Sequence, residues 1–377
     1  MKKNLNSGIL ESVKSLALLN KNLHIKDLLK KNRLEKFKIN TDLLSFDYSK
    51  QRITAEVLEE LLKIPEIIGL SKSMQQISKG GNLNLTERRK VSHMLYRKNE
   101  EGALQEDLKL IIKEKNRLKI FIDKTINNNN FIKDIVSIGI GGSRLGPELL
   151  SQSFGGYSGK RVHYCCSYDL TELEEILSLC NPTSTLFIIS SKSFDTPEVL
   201  DNAFKAKEWL NSSNLQDISG HLVGVSSNLD RMKEFGIRSS NQFKIFDSLG
   251  GRFSIWSSIS LPAILDMEMA NFEEFREGGL LADEHFLNSS WKNNIPVLMA
   301  ILSLWNLNGL GIENLGIFSY DYRLRSLPKY LSQLIMESNG KTITTENKKT
   351  PFQTCPLVCG GYGPEAQHSL FQWLYQG

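Results

Sequence analysis

Over roughly the first 115 positions, apolar residues recur at mixed spacings of three and four with few glycines between them. That period belongs to amphipathic helices and predicts a helical N-terminal region over 1–115. Lys79-Gly-Gly-Asn82 marks a loop, and Thr86 is placed to cap a following helix with Glu87 in its first turn. A polar run, Asn127–Asn130, breaks the pattern. Short apolar runs then alternate with helical stretches. Asp134–Ile140, Val162–Cys166, Thr185–Ser190 and Leu222–Val225 read as strands. A stretch from Gly146, Thr171–Leu179 and Thr196–Leu210 read as helices. Strands alternating with helices predict an α/β fold, a doubly wound and mostly parallel sheet, over residues 116–275. Ligands in such sheets bind at the carboxyl ends of the strands, where Gly141-Gly-Ser143 and Ser191-Lys-Ser193 fall. A further unit, 290–377, offers a buried-looking helix after Trp291, a strand over Leu315–Ser319 and a helix from Leu327. Ser338-Asn-Gly340 supplies the stop signal for that helix. This unit is too short to complete a sheet of its own.

Composition narrows the function classes. A chain of 377 residues holds two domains of ordinary size, and 40% apolar content suits a globular protein. The formal charge of +4 carries little information. The basic cluster Lys26–Lys38 is interleaved with acids and leucines, which favours a solvated helix face over a nucleic-acid patch. No apolar run reaches the roughly 20 residues of a membrane helix, and Ser15-Leu-Ala-Leu-Leu19 is too short for a signal-peptide core. Neither a nucleic-acid nor a membrane partner is expected. Five scattered cysteines match no disulfide framework or zinc motif, which suits reduced thiols in a cytoplasmic protein. The six histidines are dispersed as well, so spacing predicts no metal site.

Five segments carry candidate chemistry. Gln333 and Glu337 lie four apart and share a helix face; a carboxylate at the edge where that helix ends can take a proton from carbon, or can simply be a surface acid. Ser191, Lys192, Ser193 and Thr196 set hydroxyls and backbone N–H groups at a helix start, a ready anion site, although Ser193 or Asp195 could equally serve as an N-cap. Gly139-Ile-Gly-Gly-Ser-Arg-Leu-Gly146 is not a nucleotide loop. A dinucleotide fingerprint needs glycine where Arg144 stands, and a P-loop needs a terminal Gly-Lys-Ser/Thr. Arg252, after Gly250-Gly251, brings a permanent charge suited to an oxyanion or to an ion pair. His368 precedes the amphipathic Ser369–Leu374.

Together these segments resemble the glucose-6-phosphate isomerase family. Gln333-Leu-Ile-Met-Glu-Ser-Asn-Gly-Lys341 is similar to its catalytic-base segment, and Ile138–Pro147 to its first glycine-rich loop. Ser191-Lys-Ser-Phe-Asp-Thr196 resembles its phosphate loop, Asp247–Ser257 its Gly-Gly-Arg segment, and Gln367-His-Ser-Leu-Phe-Gln372 its histidine segment. Asn84–Arg97 resembles a helix start of its N-terminal region. The matches occur in the family's order.

The resemblance implies reversible isomerisation of glucose 6-phosphate and fructose 6-phosphate, with no metal and no cofactor. Glu337 would be the base, Arg252 the stabiliser of the enediolate, and His368 the ring-opening group, contributed across a homodimer interface. Gly142, Ser143, Gly251 and Gln333 would meet the sugar. Ser191, Ser193 and Thr196 would hold the phosphate with Lys192 nearby. Arg144, Val199 and the Gly360–Ala366 loop depart from the family pattern. The family also continues beyond Gly377, so the second sugar-isomerase-type subdomain is expected to be incomplete and the chain alone inactive. A non-catalytic sugar-phosphate sensor would keep the phosphate loop without needing Glu337, Arg252 and His368 together. A nucleotide-dependent α/β enzyme is disfavoured by the failed glycine patterns.

Overall fold

The computed structural model describes residues 2–98, 106–125 and 131–376. The expected polar break at 127–130 and the terminal Gly377 lie outside the described residues. The chain forms two compact units.

One unit comprises the residues up to Lys79, Gly278–Leu315 and Ile335–Val358. Its core gathers Val13, Ile53, Val57 and Leu61 around the helix Ile295–Leu304, with Trp305 fully buried. The Trp305 indole N–H donates to the Arg52 carbonyl at 2.8 Å, which satisfies the polar edge of a buried ring. Asn294 caps the 295–304 helix through the Val297 N–H. The N-terminal region is not wholly helical: β1 (Lys38–Asn40) and β2 (Ser45–Asp47) pair antiparallel.

The other unit comprises Gly80–Glu277, Gly316–Leu334 and the residues from Cys359 onward. It is built on a five-stranded parallel sheet: β3 (Asp134–Ile138), β4 (Arg161–Cys165), β5 (Thr185–Ser190), β6 (Leu222–Ser226) and β7 (Gln242–Lys244). The order is β4-β3-β5-β6-β7. Every residue of β3, β5 and β6 is buried, as a parallel sheet covered on both faces requires. Ile135, Ile188, Val223 and Phe243 pack on one face with Leu118, Leu150 and Leu265. Val136, Ile138, Phe187 and Ile189 pack on the other with Leu173, Leu177, Ala203 and Leu210. The doubly wound, mostly parallel reading of the sheet agrees with this layering. Two further strands, β8 (Asn314–Ser319) and β9 (Leu357–Tyr362), form a separate pair.

Local corrections are informative. No helix follows Thr86. The Asn84 side chain accepts from the Glu87 N–H and the Thr86 hydroxyl, Arg88 takes a left-handed conformation, and the chain folds back through an Asn84–Arg89 bridge. Side-chain closure of this kind competes with helix. The helix expected from Gly146 begins four residues earlier, spanning Gly142–Phe154, because Gly141 at φ 59° turns the chain directly off β3. All five cysteines are free thiols.

Candidate active site

β3 is the switch point of the sheet. The connection from it leads to β4 on one side, and β5 flanks it on the other. The loops after β3 and β5 therefore diverge and leave a crevice at their carboxyl ends. Gly139–Ser143 follows β3 and Ser191–Thr196 follows β5. A Cβ on Gly139 would lie 3.1 Å from the Ser190 carbonyl oxygen, so the two loops start in contact.

The Ser191 hydroxyl, buried, lies 3.0 Å from the Thr196 hydroxyl and accepts from the Phe194 N–H at 3.2 Å. Phe194 sits at φ 53° with its ring in the core, so packing holds the loop in a strained turn. Thr196 is the N-cap residue of the helix Pro197–Asn211, yet its side chain makes no capping bond. The capping alternatives for this segment fail. The Ser193 hydroxyl turns to Asp195, and Asp195 pairs with Arg231 at 2.6 Å on the exposed side. Ser193 is therefore turned toward that ion pair, while Ser191 and Thr196 face each other at the helix start. Val199, where the family carries a threonine, is buried in the core against the sheet.

Lys192 ties this loop to the next. Its ammonium donates to the carbonyls of Asp247 (3.1 Å) and Leu249 (3.2 Å). Burial lowers its pKa, the Arg89 charge adds to that, and Asp247 and Glu87 oppose it. It remains a partly desolvated cation held by two backbone carbonyls.

Gly251 and Arg252 begin a 3₁₀ turn, Gly251–Trp256. A Cβ on Gly142 would fall 2.1 Å from the Gly251 carbonyl oxygen, so the β3 loop and this turn meet backbone to backbone. The Arg252 guanidinium stands 5.0 Å from the Phe253 ring centroid, and the Arg252 carbonyl accepts from the Tyr330 hydroxyl at 3.3 Å. Phe253 stacks on His93 at 4.8 Å. Burial, with the nearby charges of Arg97 and Arg252, pushes the His93 pKa down to about 4. His93 is thus a neutral imidazole beside the Arg252 cation. Its segment matched the family pattern, but nothing in the sequence singled it out.

The helix Leu327–Asn339 ends at the anticipated Ser-Asn-Gly signal, where the Gly340 N–H returns to the Met336 carbonyl at 2.7 Å. The Gln333 amide lies against Gly141, since a Cβ there would be 3.0 Å from its nitrogen. Glu337 stands one turn further along the same helix, exposed, and its carbonyl accepts from the Lys341 ammonium at 2.6 Å. His368 is exposed in the turn after the short helix Gly363–Ala366.

The fold thus gathers Gly142, Ser143, Ser191, Lys192, Thr196, Gly251, Arg252 and Gln333 around one sheet end. Arg144, another departure from the family pattern, is occupied by Glu148 (3.0 Å), Glu172 (3.3 Å) and the Cys166 sulfur.

The family model described as phosphoglucose isomerase matches residues 47–377. A glucose-6-phosphate isomerase of Acinetobacter baumannii (strain AYE) is 37% identical over all of this chain and 70% of its own length. That of Helicobacter pylori (strain J99) is 36% identical over 95% of this chain and 68% of its own. The crystal structure of a glucose-6-phosphate isomerase from Chlamydia trachomatis superposes with a TM-score of 0.88 at 28% identity, covering 98% of this chain and 73% of that one. Among the described residues no helix is long and apolar enough to cross a membrane. On the extent of these matches, the chain belongs to the phosphoglucose isomerase family.

Proposed function

We propose that the chain interconverts glucose 6-phosphate and fructose 6-phosphate through an enediolate, in glycolysis and gluconeogenesis, as a cytoplasmic homodimer. The observation that carries this reading is the Ser191–Thr196 hydroxyl pair at a helix start, beside the Gly142–Gly251 contact and Gln333. The pair and the helix N–H groups can hold a phosphate, with Lys192 adding charge. The narrow backbone walls around Gly142 and Gly251 suit a sugar lying flat against them. Binding of the phosphate, remote from the reacting carbons, supplies the energy that orients them.

Chemistry then needs a proton carrier. His368, contributed by the second subunit, passes a proton between the ring oxygen and the C1 hydroxyl to open the ring. Glu337 removes the proton from C2 and returns it to C1. Arg252 steadies the negative oxygen of the enediolate between those transfers.

The test is conversion of fructose 6-phosphate by this sequence in a version extended to the length of its relatives, followed by coupling the glucose 6-phosphate formed to a dehydrogenase. Turnover that saturates with substrate and disappears in Glu337→Gln is expected. Tight binding of the phosphosugar with no turnover would overturn the enzyme reading in favour of a sensor.

A further inference from the structure

At the opposite end of the same sheet, three side chains of metal-ligating type meet. The Asp134 carboxylate, a ring nitrogen of His163 and the Cys180 sulfur all lie within 4.8 Å of one another. We propose that they form a binding site for a borderline-soft divalent cation of the zinc type, separate from the sugar-phosphate site.

Sheet register brings the first two together. Asp134 opens β3 and pairs with Arg161, the first residue of β4, while Val136 pairs with His163. Side chains alternate along a strand. Asp134 and His163 therefore lie on the face that Val136 and Cys165 share, and the imidazole Nε2 sits 3.0 Å from Asp134 Oδ1. The helix Thr171–Ser178 covers that face through Leu173 and Leu177 and delivers Cys180 two residues beyond its end. The sulfur is half-buried and in no disulfide.

The donor set selects the ion. One imidazole, one thiolate and one carboxylate suit zinc, whereas magnesium and calcium prefer oxygen alone. With zinc bonds of 2.0–2.3 Å, ligand atoms in a tetrahedral shell stand about 3.3–3.8 Å apart. The Asp134–His163 pair needs to open by a few tenths of an ångström, and the sulfur to close by up to about 1 Å. Side-chain rotation covers both.

Arg161 completes the argument. Its guanidinium holds Asp134 Oδ2 at 2.8 Å, and its own side chain is mostly exposed. Oδ1 is then the oxygen turned toward the ion, with Arg161 fixing the carboxylate from behind as outer partners of metal ligands do. Asp134 itself is only 1% exposed, so its orientation is set by the fold. His163 is partly open, which gives water a path to the fourth position. Binding displaces the thiol proton of Cys180, so affinity falls as pH falls. β3 has five residues, which puts this site roughly 13 Å from the sheet end that carries Gly139.

The test is zinc titration of the chelator-treated chain by calorimetry, with cobalt as a spectroscopic substitute. The expected result is one equivalent bound and a thiolate-to-cobalt charge-transfer band. Affinity should fall at least tenfold in Cys180→Ser and in His163→Gln, the band should vanish in Cys180→Ser, and it should persist in the surface control Cys359→Ser. Circular dichroism establishes that each variant is folded; should His163→Gln not fold, Cys180→Ser alone decides. Absence of stoichiometric binding by the wild-type chain, or binding and band unchanged in Cys180→Ser, would overturn the proposal.

Discussion

The hydroxyl oxygens of Ser191 and Thr196 stand 3.0 Å apart across the turn that joins β5 to the helix Pro197–Asn211. Two side-chain hydroxyls at the start of a 15-residue helix, neither spent on capping the helix N–H groups, are the basis of the proposed phosphate site. Thr196→Ala is the cleaner probe, because Ser191 also holds the Phe194 N–H. Each lost hydrogen bond to a charged acceptor costs about 1.5–3 kcal/mol, or about 10- to 150-fold in affinity. The loss should appear for fructose 6-phosphate and not for unphosphorylated fructose. Parallel inhibition assays with both sugars check this, and equal losses would remove the phosphate from this loop.

Glu337→Gln keeps the shape of the side chain and removes its basicity. Loss of a general base lowers turnover by about 10²- to 10⁴-fold. Substrate affinity should change little, because the phosphate cradle is elsewhere on the chain. Exchange of the C2 hydrogen with deuterated water reads the proton transfer itself. Exchange at the wild-type rate in this variant would assign the base to another residue.

How much of this was legible beforehand depended on how local the cause was. β3, β5 and β6 show as continuous apolar runs because both of their faces are buried. β7 is only three residues long with one apolar residue, and Gly360 and Gly361 interrupt the apolar run of β9. The Gln333–Glu337 helix was readable from its stop signal. The turn after Asn84 was not, because Thr86-Glu87 imitates a helix start until the Asn84 side chain is seen closing it. His93 gains its character from burial, from Arg97 four residues on, and from Phe253 and Arg252 far along the chain. The same holds for Asp134, His163 and Cys180. Their sequence separations fit no metal motif; parallel register unites Asp134 with His163, and the end of the helix Thr171–Ser178 brings in Cys180.

His93 should make the protein acid-sensitive. Its folded pKa, lowered to about 4 chiefly by burial, lies below the ordinary value of about 6.5. Between those values the unfolded chain takes up a proton that the folded chain refuses, so stability rises with pH across the window and falls as pH drops through it. From pH 7.5 to pH 5 this one group removes about 2 kcal/mol. Urea denaturation at both pH values measures the total change, and His93→Gln isolates the share of this residue. The variant should lose about that much less stability on acidification. Identical pH dependence in the two proteins would show that His93 titrates normally.

Two adjoining glycines should respond in opposite ways to the same added methyl group. A Cβ at Gly142 would meet the Gly251 carbonyl oxygen at 2.1 Å and its carbon at 2.4 Å, both of them backbone atoms that no rotamer change can move aside. Gly142→Ala must therefore push the β3 loop and the 251–256 turn apart. That turn carries Arg252, and a displacement near 1 Å of a reacting group can cost about 100-fold in rate. Gly142→Ala is expected to lower both the melting temperature and kcat/KM. A Cβ at Gly251 meets nothing within 4 Å, and its backbone is not left-handed, so Gly251→Ala should melt like the wild type. If the sugar lies against that backbone, the new methyl group occupies substrate space, and KM alone should rise. Thermal melts and steady-state kinetics on both variants give four readings. A stable Gly142→Ala would contradict the loop contact. A Gly251→Ala with wild-type KM would move the sugar away from this wall of the crevice.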